Sequence, residues 1–373
     1  RNFLGGARTF AVDALARTGV WASGTGPQVR LVGSVTLRQP HFGHRQLTGE
    51  LSPFVEYRND QLDQSTRTGF DATTVWERGA LRSVSLRYGF SVRRVSTTRG
   101  GGLAGASDLI SLLQAIDTTD LNVRSSVLGA QASWGWVNDL LNPRSGWVAR
   151  IGADIAGPAG ISTVEYGRLE GQLRGFLPLG RRMVLTGRLS GGRLLPFGQS
   201  APESLDDGLP ALLRLRDVVF DAGGTDDVRG WSAGLLGPKV ADFDVRTSGD
   251  SVILRSAGRY VPLGGLARWT GSVELQLPMP FLGAPHAVFG FLDAGRVWIP
   301  DDRFFAPETL ASLEDKVYAG TGGGLQFDTP FGPFRIALGY KLNPSPLDLR
   351  DPLLVGRALL LQQQRTAYQE RVS

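Results

Sequence analysis

The sequence predicts an all-β fold, a transmembrane antiparallel β-barrel, and three observations lead there. Apolar and polar residues alternate with period two in segments of about ten residues, the pattern of strands that cross a bilayer with one face toward lipid. No stretch approaches the roughly 18 consecutive apolar residues that a membrane helix needs, and helices and closed barrels are the structures that satisfy every backbone polar group in lipid. The composition is unlike that of a soluble enzyme: 373 residues with 50 Gly, no Cys, two Met, three His and 20% charged residues. Gly this abundant without a G-x-y period excludes collagen, and the supply of Val, Leu and Phe argues against disorder. A soluble chain of this length would divide into domains of roughly 150 residues, whereas one closed sheet absorbs it whole.

About thirteen strands can be placed, at 7–17, 28–38, 44–58, 67–76, 81–95, 121–136, 146–157, 163–177, 181–194, 264–278, 286–298, 316–328 and 333–342. In the second, Val29, Leu31, Gly33, Val35 and Leu37 share one face and Arg30, Ser34, Thr36 and Arg38 the other. In the fifth, Val84, Leu86, Tyr88, Phe90 and Val92 oppose Ser83, Ser85, Arg87, Ser91 and Arg93. Trp147, Ala149, Ile151, Ala153 and Ile155 oppose Arg150 and Asp154, and Phe334, Ile336, Leu338 and Tyr340 oppose Arg335, Ala337 and Gly339. Turn formers such as Arg58-Asn59-Asp60, Asn142-Pro143 and Pro178-Leu179-Gly180 separate the strands. Trp21, Tyr57, Trp76, Trp134, Trp136, Trp147 and Trp298 stand near strand ends, where an interfacial aromatic girdle belongs. A soluble sandwich also alternates; the number and length of the strands favour the barrel.

Three segments break the alternation. Residues 99–119 read as a Gly-rich loop leading into a short helix capped by Ser107 or Asp108. Residues 195–262 are too long for a hairpin connection, and loops of that size are usually functional. The tail 345–373 carries Asp351-Pro352 before Leu353, Leu354, Ala358, Leu359 and Leu360, a good helix start. The barrel is therefore expected over 1–344, with the tail as a loop or helix before an unseen last strand.

The chemistry visible in the residues is sparse. His41 and His44 form an H-x-x-H pair with no acid or third His to complete a metal site, and His286 stands alone, so no metal is expected. The Gly100–Gly105 region lacks the Lys-Ser/Thr pair of a phosphate loop. There is no G-x-S-x-G elbow, no carboxylate pair flanked by His and no Cys nucleophile, so neither catalysis nor a cofactor is expected. The formal charge of +5 is spread as single arginines along strands, which argues against nucleic acid. Lack of Cys excludes a disulfide scaffold. The opening Arg1-Asn2-Phe3-Leu4-Gly5-Gly6 has no basic region followed by an apolar one, so no signal peptide is read there.

One constellation stands out. Gly223-Gly224-Thr225-Asp226-Asp227-Val228-Arg229-Gly230-Trp231 lies in the long loop, and two later strands carry acids among apolar neighbours, Glu274 and Asp293. If the loop folds into the lumen, the Arg229 guanidinium can bridge such acids with charge-assisted bonds. Ordinary lumen-facing charges in a water-filled pore would show the same spacing.

Val228-Arg229-Gly230-Trp231 resembles the V-R-G-[FYW] motif of the BamA/TamA superfamily of outer-membrane assembly barrels. Four further stretches resemble the same family in the same order. Arg1-Asn2-Phe3-Leu4-Gly5-Gly6 is similar to its N-x-L-G-x-G turn, and Ser272-Val273-Glu274-Leu275 to its acid-bearing strand. Phe291-Leu292-Asp293-Ala294-Gly295-Arg296-Val297-Trp298 is similar to its F-x-D-x-G-x-V-W strand, and Asp328 to Tyr340, continuing into Asn343-Pro344, to its penultimate strand. The resemblance implies a barrel of the family's sixteen-stranded type preceded by periplasmic POTRA domains. It implies that Arg229 pairs with Glu274 and Asp293 on the lumen wall. It also implies a bacterial outer-membrane protein that inserts or translocates client β-barrel or secreted proteins at a lateral seam, in contact with outer-membrane lipids and with POTRA domains and accessory lipoproteins as partners. No POTRA-like segment and no final strand are visible, so the thirteen strands fit the family's third through fifteenth, and either a fragment lacking the seam strands or a barrel closed by another chain is expected. A secretion or transport pore, with 99–119 or 350–365 as a plugging helix, and a structural barrel in a larger envelope complex are the alternative readings.

Overall fold

The computed structural model describes residues 8–19, 28–59, 63–98, 102–104, 122–157, 160–180, 183–248, 251–279, 286–305, 316–329, 332–352 and 354–355. In chain order the strands are β1 (Thr9–Gly19), β2 (Gln28–Pro40), β3 (Leu47–Asn59), β4 (Asp63–Glu77), β5 (Ser83–Thr98), β6 (Gly102–Ala104), β7 (Val123–Val137), β8 (Gly146–Ala156), β9 (Tyr166–Leu179) and β10 (Met183–Pro196). A helix, α1 (Gly208–Arg214), follows. Then come β11 (Lys239–Ser248), β12 (Ser251–Pro262), β13 (Ala267–Pro278), β14 (Ala287–Trp298), β15 (Tyr318–Thr329) and β16 (Gly332–Lys341).

Thirteen of these strands form one antiparallel meander, β1-β2-β3-β4-β5-β7-β8-β9-β10-β13-β14-β15-β16. They are the thirteen segments expected from alternation, with ends shifted by a few residues. β1 and β16 are the sheet's two edges, each paired on one side among the described residues. In a meander the connections alternate between ends. One end carries short turns such as 41–46, 78–82 and 138–145, and the other carries the long segments 197–266 and 299–317.

The faces separate membrane from soluble sheet. Large apolar side chains point away from the protein along every part of the sheet: Leu31, Leu86, Ile151, Leu173, Leu189, Val273 and Leu292 are exposed, and Leu338 is 81% exposed. On the opposite face Glu56, Ser91, Arg93, Thr270 and Glu274 are buried, and Asp293 is 0% exposed. A soluble sheet buries its apolar face; contiguous apolar exposure on this scale needs lipid to cover it. Trp134, Trp136 and Trp147 point outward beside the 138–145 turn, with Trp136 and Trp147 as cross-strand partners, as an interfacial girdle requires. Trp21 of the expected girdle and the Arg1 to Gly6 stretch lie outside the described residues.

The long loop is more ordered than its sequence suggested. β11 and β12 form a hairpin, and β6 adds to β11 through Ala241↔Ala104, Asp242↔Leu103 and Phe243↔Gly102. Residues 102–104, expected as loop, are therefore a strand; the helix expected after Ser107 or Asp108 lies outside the described residues. The helix that packs against the inner face of the sheet is α1, whose Leu209, Leu212 and Leu213 join Leu215 and Phe220 in a buried apolar cluster. Val95, Val127, Tyr166 and Leu194 of the wall strands, and Leu266 just before β13, belong to the same cluster. In the tail, Leu354 and Val355 donate to the Asp351 carbonyl, the helix start expected at Asp351-Pro352, and the chain from 356 on lies outside the described residues.

Candidate functional site

The stretch from Gly223 to Trp231 is drawn into a closed turn, with the Gly224 amide donating to the Trp231 carbonyl at 2.9 Å and the Gly223 amide to Asp227 Oδ2 at 3.2 Å. The turn lies against β13 to β16. Val228, fully buried, packs with Trp231, Leu236, Val297 and Tyr318. Such close passage needs wall positions without side chains. A Cβ on Gly320 of β15 would stand 2.3 Å from the Arg229 carbonyl oxygen, and one on Gly339 of β16 would stand 2.7 Å from the Gly230 amide nitrogen. The obstructing atoms are backbone in both cases, so the fit is available to glycine alone.

Arg229 uses this proximity fully. Its Nε donates to Asp293 Oδ2 at 2.7 Å and its Nη2 to Asp293 Oδ1 at 2.8 Å, a bidentate fork, while its backbone amide adds a third bond to Oδ2 at 3.0 Å. Nη1 donates to Glu274 Oε2 at 2.7 Å and Nη2 also to Ser272 Oγ at 3.1 Å. The Ser272 hydroxyl in turn donates to Asp293 Oδ1 at 2.6 Å. The guanidinium carbon lies 3.4 Å from the Phe291 ring centroid, so the cation is stacked as well as paired. Hydrogen bonds to both acids raise the Arg229 pKa even though burial alone would lower it, so the side chain stays charged. The pairings expected from the family resemblance, Arg229 with Glu274 and with Asp293, are present in the structure.

Several members of the network carry no sequence signal of their own. Arg335 of β16 takes the other oxygen of Glu274, Oε1, and stacks on Phe289 at 4.0 Å. Glu274 is thereby shared between the loop arginine and the edge strand. Trp231 donates through Nε1 to Asp348 Oδ2 at 2.9 Å, and Lys239 and Lys341 pair with Asp348 Oδ1 at 2.7 Å and 3.0 Å. Burial alone would raise the Asp348 pKa, but Lys239, the Ser345 amide and Trp231 hold it well below the usual carboxylate range. The first residues of the tail thus join the contacts around Arg229 and Trp231 that latch the 223–231 turn to the wall.

A second anchor holds the loop on the far side of the sheet. Asp217, just past α1, accepts from Arg58 Nη1 of β3 at 3.0 Å and lies 3.3 Å from Arg93 Nη1 of β5. Arg93 also donates to the Leu213 carbonyl at 3.2 Å. Burial would raise the Asp217 pKa; Arg93 and Arg58 outweigh it and the carboxyl is lowered. Asp217 is one polar residue among many in a long loop, so spacing could not single it out. The His41 and His44 pair serves its turn: His41 Nδ1 contacts the Arg45 carbonyl and His44 Nδ1 accepts from the Gln46 amide.

Comparison with known proteins follows the same lines. The model of the Omp85 superfamily domain matches residues 2–350. The outer membrane protein assembly factor BamA of Neisseria meningitidis serogroup B is 26% identical over 266 residues, which cover 65% of this chain and 30% of that protein. The sorting and assembly machinery component 50 homolog of Mus musculus is 29% identical over 166 residues, 43% of this chain and 29% of that protein. The chain spans less than a third of the length of these relatives. A crystal structure of BamA from Haemophilus ducreyi lacking POTRA domains 1–3 matches with a TM-score of 0.69 at 17% identity, over 93% of this chain and 63% of that one, a likeness of fold. With the family model matched over nearly its whole length and the latch in place, this chain belongs to the Omp85 superfamily of outer-membrane β-barrels.

Proposed function

We propose that this chain is the barrel of a bacterial outer-membrane assembly machine, a non-enzymatic insertase working by edge-strand templating. An edge strand offers unpaired N–H and C=O groups on which an incoming client strand can form. The driving force would be client folding and burial of the client strands in lipid. The observation that carries this reading is the Arg229–Glu274–Arg335 chain. It joins the lumenal loop to β16, an edge of the sheet among the described residues, so the loop and that edge are mechanically linked. The relatives named as assembly factors support the same activity. Client β-barrel or secreted proteins, outer-membrane lipids, POTRA domains and accessory lipoproteins are its proposed partners. The buried apolar cluster that packs α1 onto the strands at the long-loop end supports this reading over an open transport pore.

The test is reconstitution of the full-length protein in liposomes with an unfolded client barrel, reading client folding by protease protection. Accelerated folding is expected, and an Arg229→Ala variant should lose most of it. Client folding no faster than in empty liposomes would overturn the proposal.

A further inference from the structure

The lumen wall carries an arginine ladder beside the Arg229–Glu274–Asp293 network. Arg174 of β9 stands directly opposite Arg188 of β10. Arg150 of β8 stands opposite Gln172, two residues from Arg174 on the same face. Like charges directly opposite one another weaken a sheet, so this placement calls for compensation. Arg188 has it: Nη2 donates to the Asp227 carbonyl at 2.6 Å and lies 3.6 Å from the Asp227 carboxylate. Arg150 and Arg174 make no hydrogen bond or ion pair with any described residue.

The neighbouring acids are engaged elsewhere. Glu274 serves Arg229 and Arg335, and Asp154 and Glu170 serve Arg168 at 3.8 Å and 2.8 Å. Asp226 lines the same space as Arg174 without forming an ion pair to it. That space is a set of adjoining cavities, and Arg174 borders each. One of about 250 Å³ lies toward Arg188, Gln276 and Gln326. One of about 170 Å³ lies toward Arg150 and Gln172 under the 138–145 turn, and one of about 320 Å³ lies toward Arg268.

We propose that Arg150, Arg174 and Arg188, with the amides of Gln172 and Gln276, form an oxyanion-binding site at the short-turn end of the lumen. A phosphate or carboxylate there would receive forked N–H bonds from Arg150 and Arg174, whose guanidinium groups pair with no described residue, beside the Arg188 that Asp227 holds in place. The headgroups of surrounding lipids are not the source, because Leu173 and Leu189 of the same strands mark the lipid side and the arginines face the other way. The anion comes from solution, as a free phosphate compound or as acidic side chains of a polypeptide entering the lumen. This inference does not depend on the assembly activity.

The test is isothermal titration of the full-length protein in detergent micelles with sodium pyrophosphate and, in a second arm, with hexaglutamate, against chloride at matched ionic strength. Saturable binding of at least one probe is expected. Arg174→Gln should weaken it about tenfold, Arg150→Gln comparably, and Asp226→Asn should strengthen it. Arg296→Gln, on the outer face, should leave it unchanged. Pyrophosphate alone binding identifies a small phosphate as occupant, and hexaglutamate displacing pyrophosphate identifies an acidic polypeptide. Removing one charge from the Arg174/Arg188 pair should leave thermal stability equal or higher, so loss of binding in a stable variant separates recognition from folding. No saturable binding of either probe, or binding unaltered in both arginine variants, overturns the proposal.

Discussion

Asp293 of β14, with no solvent exposure, receives three hydrogen bonds from Arg229, two from the guanidinium fork and one from the arginine's own backbone amide. The carboxylate therefore fixes both the side chain and the main chain of the loop. Arg229→Ala removes the fork and leaves Asp293 buried without its cation, a change that costs about 3–5 kcal/mol in buried pairs. Arg229→Lys keeps the charge but cannot supply the fork while also reaching Glu274. We expect both variants to unfold at lower temperature in a heat-modifiability gel, alanine more than lysine. An Arg229→Lys variant indistinguishable from wild type would show that charge alone suffices.

The glycine slot makes a separate prediction. Gly320→Ala and Gly339→Ala drive a methyl group into loop backbone, whereas a Cβ at Gly187 of β10 meets nothing within 4 Å. The two slot variants should expose the 223–231 turn to protease, and Gly187→Ala should not. Overpacking of this kind typically costs about 1–3 kcal/mol. Equal protease resistance in all three would contradict the slot.

Asp217 should hold the loop independently of Arg229. Asp217→Asn leaves Arg93, whose side chain is 4% exposed, without its carboxylate. A loss of about 1–3 kcal/mol is expected, smaller than for Arg229→Ala because Asp217 retains some solvent contact. Thermal unfolding of the two single variants and the double variant measures whether the anchors add. Additive losses would show independent anchors, and a double variant no worse than Arg229→Ala would show that Asp217 acts only through the latch.

Asp348 sets an acid-side dependence. Its folded pKa lies below the ordinary value of about 3.9, held there against burial by Lys239, Ser345 and Trp231. The folded state thus keeps this carboxylate ionised where the unfolded chain takes up a proton. Its contribution is fully present above about pH 4 and declines as pH falls toward the folded pKa. Asp348→Asn should lower stability at neutral pH, and the gap to wild type should narrow in melts run below about pH 4. A gap that stays constant down to the acid limit would mean that the Lys239 and Lys341 pairs contribute nothing.

The residues themselves determined the thirteen wall strands, because a strand crossing from water through lipid alternates at every second position and that pattern is local. They also carried the latch motif, and with the family resemblance its partners Glu274 and Asp293. The β11–β12 hairpin lies inside 195–262, whose length reads as one long loop, although Ala241, Phe243 and Val245 alternate there with Asp242, Asp244 and Arg246. Only the tertiary structure decided the rest. That Asp348 closes on Trp231 across 117 positions, that Arg335 shares Glu274 with Arg229, and that Asp217 reaches Arg58 and Arg93 are consequences of sheet curvature. Curvature brings together strands far apart in sequence, and no spacing rule within the chain encodes which charges then meet.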